Sequence, residues 1–308
     1  MIRFKNLLVV SVGTKGDLAA IARANRLALA NQAKITFVRV IEGLPLSASY
    51  FLSSKRAAEV QKASEALARK DMERLRKHFD GSLRVTTKVL VGKSFVELIR
   101  AVHSASHDLL IKPREVTGES PTLTSVDLHL LRKCPCPTWI VNSGHRKPYG
   151  KVLIAVDPDP SDPEKLQLHT DLVKIGTSLA RKENGKVEVV HVWRLYGESI
   201  LRGPRFRMSD AEISNMEQKE KAIRQQWLEQ LVAPHADDSL KLTLVKGQAE
   251  IALSEIIEKK KPDIVVMGTV ARTGLPGLLI GNTAENVLSR LKCSVLAVKP
   301  RGFTSPVV

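Results

Sequence analysis

The sequence predicts two tandem α/β domains of doubly wound, Rossmann-like type, each a five-stranded parallel sheet with helices on both faces. Three observations carry this prediction. Short β-branched runs alternate with helically periodic stretches along the whole chain, the pattern of βαβ units and a parallel sheet. The strand runs are apolar almost without interruption, as strands covered on both faces must be. The same order of elements then recurs once, at an offset of about 150 residues, which marks duplication of a whole domain because solenoid repeats are far shorter. A chain of 308 residues has room for two domains of ordinary size.

In the first copy, residues 7–12 are the first strand, and residues 18–30 follow with Leu18, Ile21, Ala28 and Leu29 at helical spacing. Residues 34–41 are the second strand. Residues 54–79 form a long helix whose apolar positions are Ala57, Val60, Ala63, Leu67, Met72 and Leu75. A strand over 85–91 ends at Gly92. A helix over 95–102, a strand over 108–112, a helix over 126–132 and a strand over 138–141 complete the copy. In the second copy, residues 151–157 echo 5–11, 166–182 repeat the first helix, 186–193 the second strand and 211–231 the long helix. Residues 240–246 with Gly247 echo the strand before Gly92, 263–267 echo 108–112, and 284–290 with 293–298 echo 127–133 with 136–141. The join lies in residues 143–150, rich in turn formers, and separates a domain of residues 1–146 from one of residues 147–308. Crossovers between parallel strands are right-handed. Ligands of such sheets sit beyond the carboxyl ends of the strands, where strand order reverses. The residues after the first and fourth strands of each copy are therefore the candidates for a site.

Charge divides the copies. The net charge is +16 with a pI near 9.9. Residues 1–150 hold 25 Lys+Arg against 12 Asp+Glu, hence +13; the remainder holds 23 against 20, hence +3. A basic half suits nucleic acid, anionic lipid or an acidic partner protein. It equally suits a solvated surface, since the charges are scattered along amphipathic helices in short runs. Aromatic residues make up only 4%, so the core rests on Leu, Ile, Val and Ala. Three cysteines, Cys134, Cys136 and Cys293, argue against a disulfide framework and suit a reducing cytoplasm. The first residues lack the features of a signal peptide, and no apolar run approaches the roughly 20 residues of a membrane span. A cytoplasmic protein is expected.

After the fourth strand of the second copy the sequence runs from Gly268 through Ala271, Arg272, Gly274 and Gly277 to Gly281, Asn282 and Thr283. Glycines let backbone N–H groups approach an anion. The segment leads into a helix N-terminus, whose free N–H groups and dipole favour phosphate. A structural reading stands beside this one: Asn282 and Glu285 have the spacing of a capping box for the last helix.

The same residues carry a resemblance. Universal stress protein domains have Gly, two residues, Gly, nine residues, then Gly followed by Ser or Thr. This chain resembles that motif at the same spacing, with Gly268, Ala271 in the second glycine's place, and Gly281 followed by Asn282 and Thr283. The flanks Arg272–Leu275 and Thr283–Leu288 are similar as well, and residues 127–137 resemble a tandem member of the family. The resemblance implies an adenine nucleotide alpha hydrolase-like fold. It also implies ATP or a related adenine nucleotide as cofactor, with phosphates on the loop and adenosine held by an Asp after strand one and a Val in strand two. Asp157 and Val192 match those two positions, in the second copy only. Ala271 adds a methyl where backbone should meet phosphate, and Asn282 replaces the hydroxyl residue. The first copy lacks the set: residues 113–124 contain one glycine, and Ser11 or Val12 stands in the acidic position. Its expected role is that of structural partner. The family further implies pairing of the final strands, 138–141 with 295–298, giving an intrachain pseudo-dimer, or a homodimer.

The expected function is a non-catalytic, ligand-binding role in the stress response, exercised through protein partners. The alternatives are a slow ATPase or phosphotransfer enzyme, and a binder of another anionic ligand, a lipid precursor or RNA. No nucleophile–base signature and no complete phosphate-binding Walker loop occurs. Cys134-Pro-Cys136, near His129, has the look of a metal or redox pair, but Cys136 has a counterpart in Cys293 before the last strand, so both read as core residues. His191, within a strand, reads as a packed core histidine.

Overall fold

Every residue of the first strand, β1 (Asn6–Ser11), is buried, as a strand covered on both faces must be. The computed structural model describes residues 4–45, 47, 50–117, 120–121, 123–144, 148–269, 284, 286–288 and 291–307. The chain continues with α1 (Asp17–Asn31), β2 (Lys34–Ile41), α2 (Ser54–Arg76), β3 (Val85–Val91), α3 (Ser94–Ser104) and β4 (Leu109–Pro113). A two-residue hairpin pair, β5 (Val116–Thr117) and β6 (Ser120–Pro121), precedes α4 (Ser125–Lys133) and β7 (Thr138–Val141). The second copy supplies β8 (Lys151–Val156), α5 (Pro163–Lys182), β9 (Lys186–Trp193), α6 (Glu198–Arg202), α7 (Asp210–Val232), β10 (Leu240–Lys246), α8 (Ala249–Lys260), β11 (Ile264–Gly268) and β12 (Ser294–Val298).

Contacts group the described residues into two units. The N-terminal unit holds residues 4–144 with Thr269, Leu288 and 291–307. Its strands run β3-β2-β1-β4-β7 in parallel. β12 completes it, antiparallel on β7, with Val295 opposite Ile140, Leu296 opposite Trp139 and Ala297 opposite Thr138. The final strand of the second copy thus pairs with the final strand of the first. The C-terminal unit holds residues 148–268 with Ala284, Asn286 and Val287. Its strands run β10-β9-β8-β11, all parallel.

Local chemistry sets the helix starts. Ser53 caps α2 by accepting from Arg56 N–H, and Asp162 caps α5 with Pro163 at the first turn. Thr124 with Asp127, and Ser209 with Glu212, form reciprocal capping boxes for α4 and α7. The long helices bury less than their spacing predicts. In α2 only Ala68 and Met72 are buried, whereas Val60 and Leu67 are 43% and 62% exposed. A helix of 23 residues is about 35 Å long, and the eight-residue β2 spans about 26 Å, so α2 is about 9 Å longer than the strand it follows. The helix also stops at Arg76, short of Phe79, whose ring meets Phe37 edge-on at 5.1 Å. Cys134 and Cys136 lie in the apolar core with Leu8, Leu98 and Leu130, their sulfurs 3.6 Å apart. Cys293 is only half-buried, which corrects its expected core placement: it stands in the turn before β12 rather than on the strand.

Candidate functional site

In the C-terminal unit, β8 has β9 on one side and β11 on the other. The chain moves from β8 through β9 to β10 and then returns to β8's other flank, so strand order reverses between β8 and β11. This is where a parallel α/β sheet opens a crevice beyond its carboxyl ends. Three of the expected residues meet at that edge. Asp157 directly follows β8, whose last residue, Val156, stands opposite His191. Val192 is the next residue of β9. Gly268 ends β11, one residue beyond Met267, which pairs with Ala155. The other expected positions, Ala271, Arg272, Gly281, Asn282 and Thr283, lie outside the described residues, as does the Asn282–Glu285 capping box.

Asp157 is the centre of a charged cluster. Its carboxylate lies 2.9 Å from Lys165 Nζ, and Lys165 also stands 3.9 Å from Asp159. The Asp157 backbone N–H donates to Nδ1 of His169 at 3.4 Å. His191 is 1% exposed. Its Nδ1 lies 3.1 Å from the Val156 carbonyl and 3.8 Å from Asp157. Donation from Nδ1 to that carbonyl leaves Nε2 as the acceptor nitrogen, and Nε2 is buried without a hydrogen-bond partner among the described residues. Burial pushes the His191 pKa down, opposed by Asp157 and by the Val156 carbonyl, so the ring is neutral near pH 7. His191 is a packed histidine, as its place in a strand suggested, yet it also walls the carboxylate. Sequence reasoning missed Lys165 and His169. The available signal was their spacing behind the Asp162 cap: Lys165 falls in the first turn of α5 and His169 one turn later.

Gly268 has a packing role. A Cβ there would lie 3.1 Å from Leu168 Cδ2, so glycine lets α5 close over the end of β11.

The matching edge of the first copy is filled by its own side chains. Asp17, fully buried at the start of α1, accepts from Ser11 Oγ at 2.7 Å, Val12 N at 2.9 Å and Gly13 N at 3.0 Å. Burial raises its pKa, against the pull of those hydrogen bonds and of Arg39. At the end of β4, buried Lys112 pairs with Glu115 at 2.7 Å and Asp127 at 2.9 Å. The Val12 and Gly13 amides and the Lys112 ammonium are thus engaged within the copy.

This reversal of strand order, repeated in parallel sheets built from duplicated sequence, defines a tandem doubly wound α/β protein. The chain belongs to the universal stress protein family: a family model described as "Universal stress protein family" matches residues 3–142 and 148–299. It is 31% identical over 316 residues to Universal stress protein E of Salmonella typhi, covering 100% of this chain and 98% of that one. It is 30% identical to Universal stress protein E of Escherichia coli strain K12 with the same coverage. Among solved structures, a functionally unknown protein from Pseudomonas aeruginosa PAO1 superposes with a TM-score of 0.66 at 23% identity, covering 96% of this chain and 93% of that one. A universal stress protein from Archaeoglobus fulgidus gives 0.64 at 15% identity, covering 97% and 99%. At these identities the structures show the shared fold alone. Among the described residues, no helix is long and apolar enough to cross a membrane.

Proposed function

We propose that this universal stress protein binds an adenine nucleotide through its second copy alone and acts as a non-catalytic, ligand-responsive regulator. One observation carries the reading: Asp157, Val192 and Gly268 come together at the carboxyl edge where strand order reverses, while the equivalent edge of the first copy is closed by Asp17 and by Lys112 with its two carboxylates. Asp157 is an acceptor suited to a ribose hydroxyl or an amino group. A ligand that takes it shares it with Lys165, whose ammonium stays beside the incoming polar group.

Titration calorimetry with ATP tests the proposal, with an expected stoichiometry of one per chain. Asp157→Ala weakens binding. Ala271→Gly strengthens it by up to about tenfold, because removing the methyl frees the backbone for a conformation that alanine disfavours by roughly 1 kcal/mol or more. Two equivalent sites per chain, or ATP affinity indifferent to Asp157→Ala, refutes it. Steady phosphate release that tracks bound ATP supports the ATPase alternative instead.

A further inference from the structure

In the C-terminal unit, the connection between β9 and α7 is ordered yet turns its apolar side chains outward. Leu195 anchors it, only 8% exposed, but Tyr196 is 92%, Ile200 62% and Phe206 52% exposed. The exposure is not that of a loose chain. Backbone N–H groups of Phe206 and Arg207 donate to the Gly203 carbonyl at 3.2 and 2.9 Å, and Met208 N–H donates to Leu201 at 3.1 Å. Arginines interleave the apolar residues. Arg194, Arg205 and Arg207 are exposed and have no carboxylate partner among the described residues. The carboxylate within the segment, Glu198, is neutralised by Arg202 at 3.3 Å and Lys246 at 2.9 Å. Arg207 Nε donates to the Pro204 carbonyl at 3.0 Å and Arg205 lies 5.8 Å over the Phe206 ring, so the face presents guanidinium groups without carboxylate partners, among the described residues, around two rings and an aliphatic chain.

We infer that this segment docks the protein on an anionic lipid surface. Guanidinium forks bind lipid phosphates. Tyrosine and phenylalanine are at home in the interfacial layer, and Ile200 adds apolar area that a bilayer buries and water does not. Single-stranded RNA would use the same charges and could stack on the two rings, but it would leave in water the apolar area of Ile200 that a bilayer buries. The inference is independent of any ligand at Asp157.

Co-sedimentation of the full chain with vesicles of phosphatidylglycerol and phosphatidylcholine, against phosphatidylcholine alone, tests it at low and high ionic strength. Binding is expected on the anionic vesicles only and weakens with salt. The variant Tyr196→Ser/Ile200→Ser/Phe206→Ser lowers vesicle affinity by about tenfold or more. The variant Arg194→Gln/Arg205→Gln/Arg207→Gln lowers it roughly fivefold per arginine. All the replaced side chains are exposed, so both variants should keep the parent's urea midpoint; if the first unfolds, the second decides. Absence of binding to anionic vesicles, or binding unchanged in the folded variants, overturns the inference. So does oligouridylate binding that the variants lose while vesicle binding persists, which assigns the face to RNA.

Discussion

Replacing Lys299 with methionine should reveal a pH-dependent term in the stability of the N-terminal unit. Lys299 is 8% exposed, just beyond β12. Its Nζ donates to the Leu131 carbonyl near the end of α4 and to Thr269 Oγ1. The Phe303 ring lies 5.3 Å away, and the buried Cys134 acts on it electrostatically. Burial lowers the ammonium pKa from 10.5 to about 7, with Cys134 opposing weakly. Geometry accommodates this, since two acceptors match the two N–H groups of a neutral amine. Between these values the unfolded chain binds the extra proton, so stability rises with pH and is lost as pH falls toward 7. At about 1.4 kcal/mol per pH unit, the gain from about pH 7.5 to 9.5 is about 2 kcal/mol. Lys299→Met lacks this titration, and all other groups are shared. Urea unfolding followed by tryptophan emission, to which buried Trp139 contributes, should show the parent gaining about 2 kcal/mol on the variant across that window. A difference that stays flat means that Lys299 is solvated, and the reasoning fails.

Asp17→Ala removes the acceptor for Ser11 Oγ and for two backbone N–H groups. A loss of about 2–4 kcal/mol in urea unfolding is expected; a change under about 0.5 kcal/mol means that water satisfies those donors equally well. Gly185→Ala places a Cβ 2.2 Å from the Tyr149 carbonyl oxygen. Because backbone must move, the cost is about 2–3 kcal/mol or more in thermal melting. Gly81→Ala, with nothing within 4 Å of its added carbon, is the control, and equal melting of the two variants sinks the packing claim.

Strand positions were legible because burial on both faces writes uninterrupted apolar runs. β2, β3, β7, β9 and β10 have the bounds that the sequence predicts, and the pairing of β7 with β12 was expected from two apolar terminal strands. The helix α8 (Ala249–Lys260) was overlooked. Its exposed Ile251, 50% accessible, breaks the single apolar stripe on which periodicity relies. The short α6 was missed because five residues between Gly197 and Gly203 give too little repeat to read. At the site, topology pointed only to the strand ends, and the resemblance to the family supplied Asp157, Val192 and Gly268 as the particular residues there. Lys165 and His169 were missed because their spacing behind the Asp162 cap places them in the first two turns of α5 without saying that their side chains reach back to the preceding strand end.

The two copies answer one requirement in opposite ways, and this argues that the sequence asymmetry is physical. After the first strand of any such fold, the turn into the helix exposes backbone N–H groups that need an acceptor. In the first copy Asp17, inside the helix, points back and takes Val12 and Gly13, so the turn is satisfied internally at the cost of a buried carboxyl whose pKa is raised. In the second copy the acid sits on the strand end, and the helix is capped separately by Asp162, which accepts from Lys165 N–H at 3.0 Å. That division leaves Asp157 29% exposed and held by Lys165 and His191. Moving one carboxylate from helix to strand end thus converts a self-sealed turn into a partly exposed carboxylate shared with Lys165. The proposed confinement of ligand binding to the second copy rests on this difference, with Lys112 of the first copy paired to Glu115 and Asp127.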